Sequence, residues 1–340
     1  MDKLLNGIGL GTFPFASPFT PVDQLTSSKI LNTFLDNGGQ YIDTAPTYSF
    51  GEVESFLGKA LKSITRSKFF ICTSCGYILN DTRQFEVSGK YEHVIKDCEG
   101  SLKRLGLDYI DLYILHIPDP KTPFAETIGA MEELKKQGKA RKLGVSNVTL
   151  DQLKEYKKHG SIEYVQNRFS LLNQNLSAEF IKYCEENNVG LTAYQVIERG
   201  LLTNKAATIV LREGDLRNKK PEFAPNIRER IGRWVAQYLL PIANELKVSV
   251  STLAIWWALR QPAVALCQVG ATSEKQVLDT IKVLNFVPPS DTLDRINKSY
   301  GILEEEIKRE YSQSIREFMG LAQYNLYSGS ASGKVPPSKK

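Results

Sequence analysis

Short apolar runs rich in β-branched and aromatic residues alternate with longer amphipathic stretches along most of the chain. The runs predict strands at 8–13, 41–44, 69–73, 110–116, 142–146, 164–167, 190–194 and 265–269. Helices are predicted between them, at 24–37, 52–61, 91–105, 124–137, 150–158, 178–188 and 274–284, with more helix in 227–246 and 250–261. Val94, Cys98, Leu102 and Leu105 form one apolar stripe at helical spacing. Gly38-Gly39 and Gly138 follow predicted helices, where a left-handed cap is expected.

Strands that are apolar throughout and each followed by a helix imply a parallel sheet covered on both faces. An open doubly wound sheet and a closed (β/α)8 barrel both fit. The open dinucleotide-binding sheet needs Gly-x-Gly-x-x-Gly in the turn after its first strand. Gly7-Ile8-Gly9-Leu10-Gly11 has the wrong spacing and lies before and within the first strand. The expected class is therefore α/β, a (β/α)8 TIM barrel, as one domain over 1–311. A C-terminal extension, 312–340, follows, expected to be flexible from about 328, where Ser328-Gly329-Ser330-Ala331-Ser332-Gly333 begins. The polar stretch 198–225 carries Lys205, Arg212, Arg217, Lys219 and Lys220. A loop that long in a barrel is usually functional, and a phosphate clamp is expected there.

The 340 residues are 42% hydrophobic and 24% charged, which excludes a disordered or collagen-like chain. No apolar run approaches the ~20 residues of a membrane span. The first residues lack a signal-like core, so a cytoplasmic protein is expected. Net charge is +5, but Lys334, Lys339 and Lys340 fall in the last seven residues. Without them the chain is nearly balanced, so no nucleic-acid partner is expected. Five irregularly spaced cysteines argue against a disulfide framework. Cys72-Thr73-Ser74-Cys75 has no second pair, and positions three apart on a strand face opposite ways, so no metal site is expected.

Barrel active sites are built at the C-terminal ends of the strands. Polar residues expected there are Asp43, Tyr48, Ser74, His116, Ser146, Asn147, Gln166, Asn167, Tyr194 and Gln195. A carboxylate at a buried strand end needs a partner, so Asp43 stands out. Each such residue alone has a structural reading too: His116 as a satisfied core histidine, Trp256 and Trp257 as packing, His93 and His159 as helix surface. Phe15, Phe50 and Tyr77 are expected over the mouth, as a substrate wall or as cover for the core.

Several of these residues lie in motifs. Tyr41-Ile42-Asp43-Thr44-Ala45-Pro46-Thr47-Tyr48 with Gly51-Glu52-Val53-Glu54, then Leu115-His116-Ile117-Pro118-Asp119-Pro120, Gly144-Val145-Ser146-Asn147 and Gln166-Asn167, resemble the aldo-keto reductases in order. The subgroup resembled holds sugar dehydrogenases and potassium-channel beta subunits. The resemblance implies an NADP(H)-linked carbonyl reductase or alcohol dehydrogenase, with NAD as the second possibility. Its substrate would be a small carbonyl or alcohol, sugar-like among the candidates. It places the general acid–base on Tyr48 and its partners on Asp43 and His116. The family's lysine, which depresses the phenol pKa, falls on Ser74, a residue without charge. The cofactor residues implied are Thr12, Phe13, Asp43, Ser146, Asn147, Gln166, Tyr194, Gln195, Gly270, Thr272, Gln276 and Asp279. Thr280 stands where the family has asparagine, and Lys275 is the cation available near the 2′-phosphate position. Two alternatives remain open: a nucleotide-binding sensor with little catalysis, and a barrel enzyme doing non-redox proton transfer.

Overall fold

The computed structural model describes residues 7–16, 22–79 and 85–311. The expected extension, 312–340, lies outside them. Eight parallel strands close into a barrel in chain order: β1 (Ile8–Gly11), β2 (Tyr41–Asp43), β3 (Phe70–Cys75), β4 (Ile110–Leu115), β5 (Ala140–Ser146), β6 (Ile162–Arg168), β7 (Gly190–Tyr194) and β8 (Val264–Gly270). Each lies on one of the predicted runs. β8 pairs with β1 through Cys267↔Ile8 and Val269↔Leu10, which removes any free edge.

Helices α1 (Gln24–Asp36), α2 (Glu52–Leu61), α3 (Tyr91–Leu105), α4 (Phe124–Lys136), α5 (Leu150–His159) and α6 (Ala178–Glu186) fall between the first seven strands. Their sequences show why they start and stop where they do. Asp23 caps α1 by accepting from the Thr26 backbone N–H, and Thr149 with Gln152 forms a capping box on α5. Gly106, at φ 65°, ends α3 in the left-handed conformation.

The barrel interior is a layer of Tyr41, Cys72, Leu112, Ile114, Ala265 and Leu266, with Phe70 and Tyr164 packed against it. Gly9 leaves room for this layer: a Cβ there would stand 2.6 Å from the Tyr41 ring. Tyr41 and Phe70 stack at 5.2 Å between ring centroids.

The chain divides into two compact units. The first comprises Met1–Asn167, Ala178–Thr192 and Pro262–Leu278; the second comprises Arg168–Ser177, Ala193–Gln261 and Asp279–Lys340. Within the second lie α7 (Pro225–Trp234), α8 (Leu240–Glu245), α9 (Val250–Leu259) and α11 (Thr292–Tyr311), while α10 (Glu274–Ile281) begins in the first. Here Trp257 stacks on Phe169, and its indole N–H donates to Asn297 at 2.8 Å. Trp234 donates to the Ser299 carbonyl at 2.7 Å.

The structure differs from the sequence reading in three places. The helix predicted over 227–246 runs on from Pro225 to Glu245 but widens into a π turn at Val235–Leu239. Pro241 lacks an N–H and would clash with the carbonyl four residues back in an unbroken α-helix. An antiparallel hairpin, Tyr77–Leu79 with Phe85–Val87, follows β3 where no strand was predicted. Gly76, at φ 107°, lets the chain turn into it. α11 was also not predicted, although Ile296, Tyr300, Leu303 and Ile307 are all buried at helical spacing.

Candidate active site

Strand register sets the C-terminal mouth. Asp43, the last residue of β2, is level with Gly11 on β1 and Cys72 on β3. Ser74, two residues past Cys72, therefore lies on the same side of β3. Ser74 is level with Ile114 on β4, and His116 follows just beyond that strand. Ser146 and Gln166 face each other across β5 and β6.

These strand ends surround one recess. Asp43, Thr44, Tyr48, Cys72, Ser74, Ile114, His116 and Gln166 line a volume of about 10 Å³. That is room for one water-sized atom. A larger cavity, of about 240 Å³, lies among Gln40, Arg66, Phe70, Tyr109 and Arg141 at the opposite, N-terminal ends of the strands. Features at that end of a barrel serve stability.

Asp43 is buried, 6% exposed. Its Oδ2 accepts from Gln166 Nε2 at 3.0 Å and from Gln268 Nε2 at 3.1 Å. Among the described residues no lysine, arginine or histidine pairs with it. Burial pushes its carboxyl up to about 7, against the lowering pull of hydrogen bonds from Cys72, Gln166 and Gln268. Its carbonyl accepts from both the backbone N–H (3.0 Å) and the hydroxyl (2.8 Å) of Thr12. Thr12 therefore ties the end of β1 to the end of β2.

Ser74 Oγ stands 3.0 Å from His116 Nδ1. Burial lowers the imidazole pKa to about 4, so the ring is neutral at physiological pH. The Tyr77 ring meets it edge to face at 5.4 Å. The His116 carbonyl accepts from Asn147 Nδ2 at 2.8 Å, and the same amide donates to Ser146 Oγ at 3.1 Å. Ser146 Oγ donates to the Gln166 carbonyl at 2.8 Å and lies 3.3 Å from Gln166 Oε1.

Tyr48 opens a single 3₁₀ turn, Tyr48–Gly51. Ser49, Phe50 and Gly51 all have positive φ, at 47°, 54° and 87°. Two such non-glycine residues in succession are costly and occur where a loop must be held in one shape. Phe13 packs against the Tyr48 ring at 5.3 Å. Phe13, Phe50 and Phe85 remain exposed, and Phe50 stacks on Phe85 of the hairpin. They form an aromatic rim in the first unit.

The structure thus brings together Thr12, Phe13, Asp43, Tyr48, Ser74, His116, Ser146, Asn147 and Gln166. Gly270 is exposed at the end of β8, and Thr272 donates to Gln276 Oε1 from its N–H (2.8 Å) and hydroxyl (3.2 Å). In the second unit, Tyr194 is the last residue of β7, Gln195 follows at φ 56°, and Asp279 pairs with Lys282 at 2.9 Å. Gln268 and Phe85 were missed in the sequence. A lone glutamine inside the apolar run Ala265-Leu266-Cys267-Gln268-Val269 was the available signal for the first.

His159 is exposed and sits 3.3 Å from Glu155, whereas His93 is only half exposed and lies 2.5 Å from Ser88 Oγ. Trp256 and Trp257 are packed inside. Cys72 and Cys75 are buried, and burial pushes both thiols well above their ordinary pKa, which disfavours thiolate chemistry. Among the described residues no three His, Cys, Asp or Glu side chains converge to hold a metal ion, and no helix is long and apolar enough to cross a membrane.

Residues 7–300 match the Aldo/keto reductase family. The chain belongs to that family. It is 30% identical over 303 residues to the NADH-specific methylglyoxal reductase of Escherichia coli, covering 84% of this chain and 91% of that one. It is 32% identical over 304 residues to the aldo-keto reductase YhdN of Bacillus subtilis, covering 88% and 90%. Among solved structures, the glycerol dehydrogenase of Gluconobacter oxydans superposes with a TM-score of 0.79 at 26% identity, covering 87% of this chain and 91% of that one. The fold and the oxidoreductase class follow from this membership; a probable voltage-gated potassium channel subunit beta from Oryza sativa is also a relative, at 26% identity, covering 86% of this chain and 91% of that one.

Proposed function

We propose that this aldo-keto reductase is an NAD(P)(H)-dependent enzyme that reduces the carbonyl of a small oxygenated substrate, with the side chains of Tyr48, His116, Ser74 and Asp43 around the reacting oxygen. The observation that carries this reading is the recess those four residues line together with Gln166, of about 10 Å³, the size of one oxygen-bearing group.

The donor set also suits a nicotinamide carboxamide. Ser146, Asn147 and Gln166 supply hydroxyl and amide groups in one connected cluster, which matches the paired donors and acceptors of a planar amide. A bound dihydronicotinamide would supply the hydride. Tyr48 would donate its proton to the substrate oxygen as that oxygen gains negative charge. His116, neutral because it is buried, would donate a hydrogen bond from Nε2 to the same oxygen. Ser74, donating to Nδ1, would hold the ring in the tautomer that keeps that proton on Nε2. The recess lining contains no lysine or arginine, so nothing in it favours a tyrosinate, and reduction is the direction this site favours. The relatives named for methylglyoxal reduction and glycerol dehydrogenation support a small carbonyl or hydroxyl substrate. NADPH and NADH both remain cofactors of this reading, since the E. coli relative is named for NADH.

The test titrates NADPH and NADH by tryptophan fluorescence, then follows nicotinamide absorbance with methylglyoxal, glyceraldehyde and simple aldehydes. Nucleotide binding with turnover that falls at least about 100-fold in Tyr48→Phe is expected. Binding without turnover on any carbonyl supports the sensor instead. No binding of either nucleotide at millimolar concentration overturns both.

A further inference from the structure

We infer that Gln268 is a positioning residue of this site: it holds the Asp43 carboxylate and thereby fixes the orientation of the Gln166 amide at the nucleotide pocket. The inference rests on the reading of the pocket given above.

Gln268 lies within β8, 225 positions from Asp43 in the chain, and is 7% exposed. Its Nε2 reaches Asp43 Oδ2 at 3.1 Å and the Tyr41 hydroxyl at 3.4 Å. Gln166 Nε2 reaches the same Asp43 oxygen at 3.0 Å. One carboxylate oxygen therefore receives two neutral amide donors, from β6 and from β8, the strands on either side of β7. The groups facing Asp43 are Tyr41 on its own strand, Cys72 on β3, Gln166 on β6 and Gln268 on β8; the recess adds Tyr48, Ser74 and His116. None carries a positive charge at neutral pH, since burial holds His116 neutral. Hydrogen bonds from the Cys72 thiol and the two amides are what favour the ionised form here, against burial.

The ionised carboxylate can only accept. It therefore demands N–H groups from both glutamines, and Gln166 must turn its Oε1 the other way, toward the Ser146 hydroxyl at 3.3 Å. From there hydrogen bonds run through Ser146 to Asn147 and the His116 carbonyl. A protonated Asp43 offers an O–H that could bond to Gln166 Oε1 instead, and the amide would then be free to flip. Gln166 is also the glutamine a carboxamide would contact.

The experiment compares wild type, Gln268→Leu and Gln268→Asn. It follows the Asp43 carboxyl by infrared difference titration, with Asp43→Asn used to assign the band, and measures NADPH and NADH affinity across pH 5–9. Losing one hydrogen bond to a charged group should raise the carboxyl midpoint by roughly one to two pH units in Gln268→Leu. Nucleotide affinity should fall on the acid side of the midpoint in every protein, and that inflection should move up with the midpoint in Gln268→Leu. At pH 7 the variant should bind about tenfold more weakly than wild type, with part of the affinity restored at pH 9. Gln268→Asn keeps a donor and should fall between the two. A folded Gln268→Leu with an unchanged carboxyl midpoint overturns the inference, and so does an affinity loss that is the same at every pH. Wild type that binds neither nucleotide defeats the proposed function alone, because the carboxyl titration still decides whether Gln268 holds Asp43.

Discussion

Asp43 and His116 sit in one recess, and burial moves their titrations in opposite directions. The Asp43 carboxyl rises to about 7, and the His116 imidazole falls to about 4. For Asp43 the folded value lies above the unfolded one, so its share of stability is fully present below about pH 4 and is lost as pH rises through 7. For His116 the folded value lies below, so its share is present above about pH 6.5 and is lost as pH falls toward 4. Between these limits the two largely cancel, and wild-type stability hides both. Replacing Asp43 by asparagine exposes the first. The new amide oxygen can accept from both glutamines without carrying charge, so the variant should gain on wild type between pH 5 and 8, by at most about 3 kcal/mol. Asp97, also raised to about 7 by burial, is unchanged in both proteins and drops out of the difference. Urea denaturation at the two pH values makes the comparison, and a pH-independent difference would refute the buried, cation-free carboxylate.

At the scale of elements, the end of β3 is held from outside the barrel by a charge inside the helix layer. Glu54 of α2 is fully buried, and it accepts from Thr73 Oγ1 of β3 and Arg104 Nε of α3, both at 2.7 Å. Gly58 lets α2 and α3 approach closely, since a Cβ there would lie 2.5 Å from the Arg104 carbonyl. Thr73 immediately precedes Ser74, so this contact helps fix the height at which Ser74 meets His116. Glu54→Leu leaves Arg104 Nε and the Thr73 hydroxyl without their acceptor. The expected loss is about 2–3 kcal/mol, below that of a fully buried pair because Arg104 is about one-third exposed. Adding Arg104→Met should recover part of it. A loss under about 1 kcal/mol would mean that water replaces the pair.

Across the molecule, the second unit contains a charge network centred on the fully buried Arg168, Glu198 and Glu222, and it changes the reading of the stretch 198–225. Arg168 pairs with Glu198 and with Glu222 (3.2 Å), Arg199 pairs with Glu222 (2.9 Å), and Ser170 Oγ donates to Glu198 at 2.5 Å. Two positions near the ends of the stretch are thus tied to one arginine. Of its basic residues, Arg217 pairs with Asp215 at 2.7 Å. A clamp made from this segment would move between fixed ends, through its middle. Arg168→Met should cost about 3–5 kcal/mol by leaving two buried carboxylates short of a cation. It should also speed amide exchange across 198–225 more than in the barrel strands. Uniform acceleration everywhere would show that the network supports the whole fold and not this segment in particular.

What the sequence determined by itself was whatever depends on local pattern. Eight apolar runs separated by amphipathic stretches specify strands, helices and a closed parallel sheet, because side-chain periodicity is set by residues a few positions apart. The same alternation puts Asp43, Ser74, His116, Ser146 and Gln166 at strand ends, where a barrel builds its site. Only the tertiary structure decided who pairs with whom. Gln268 meets Asp43 across 225 residues, and Ser74 meets His116 across 42, through strand registers that no local pattern encodes. The Arg168 network joins residues up to 54 positions apart in one buried place. Charged and amide groups read locally as surface; their partners, and so their protonation and orientation, are set by the closed sheet that brings them together and excludes water.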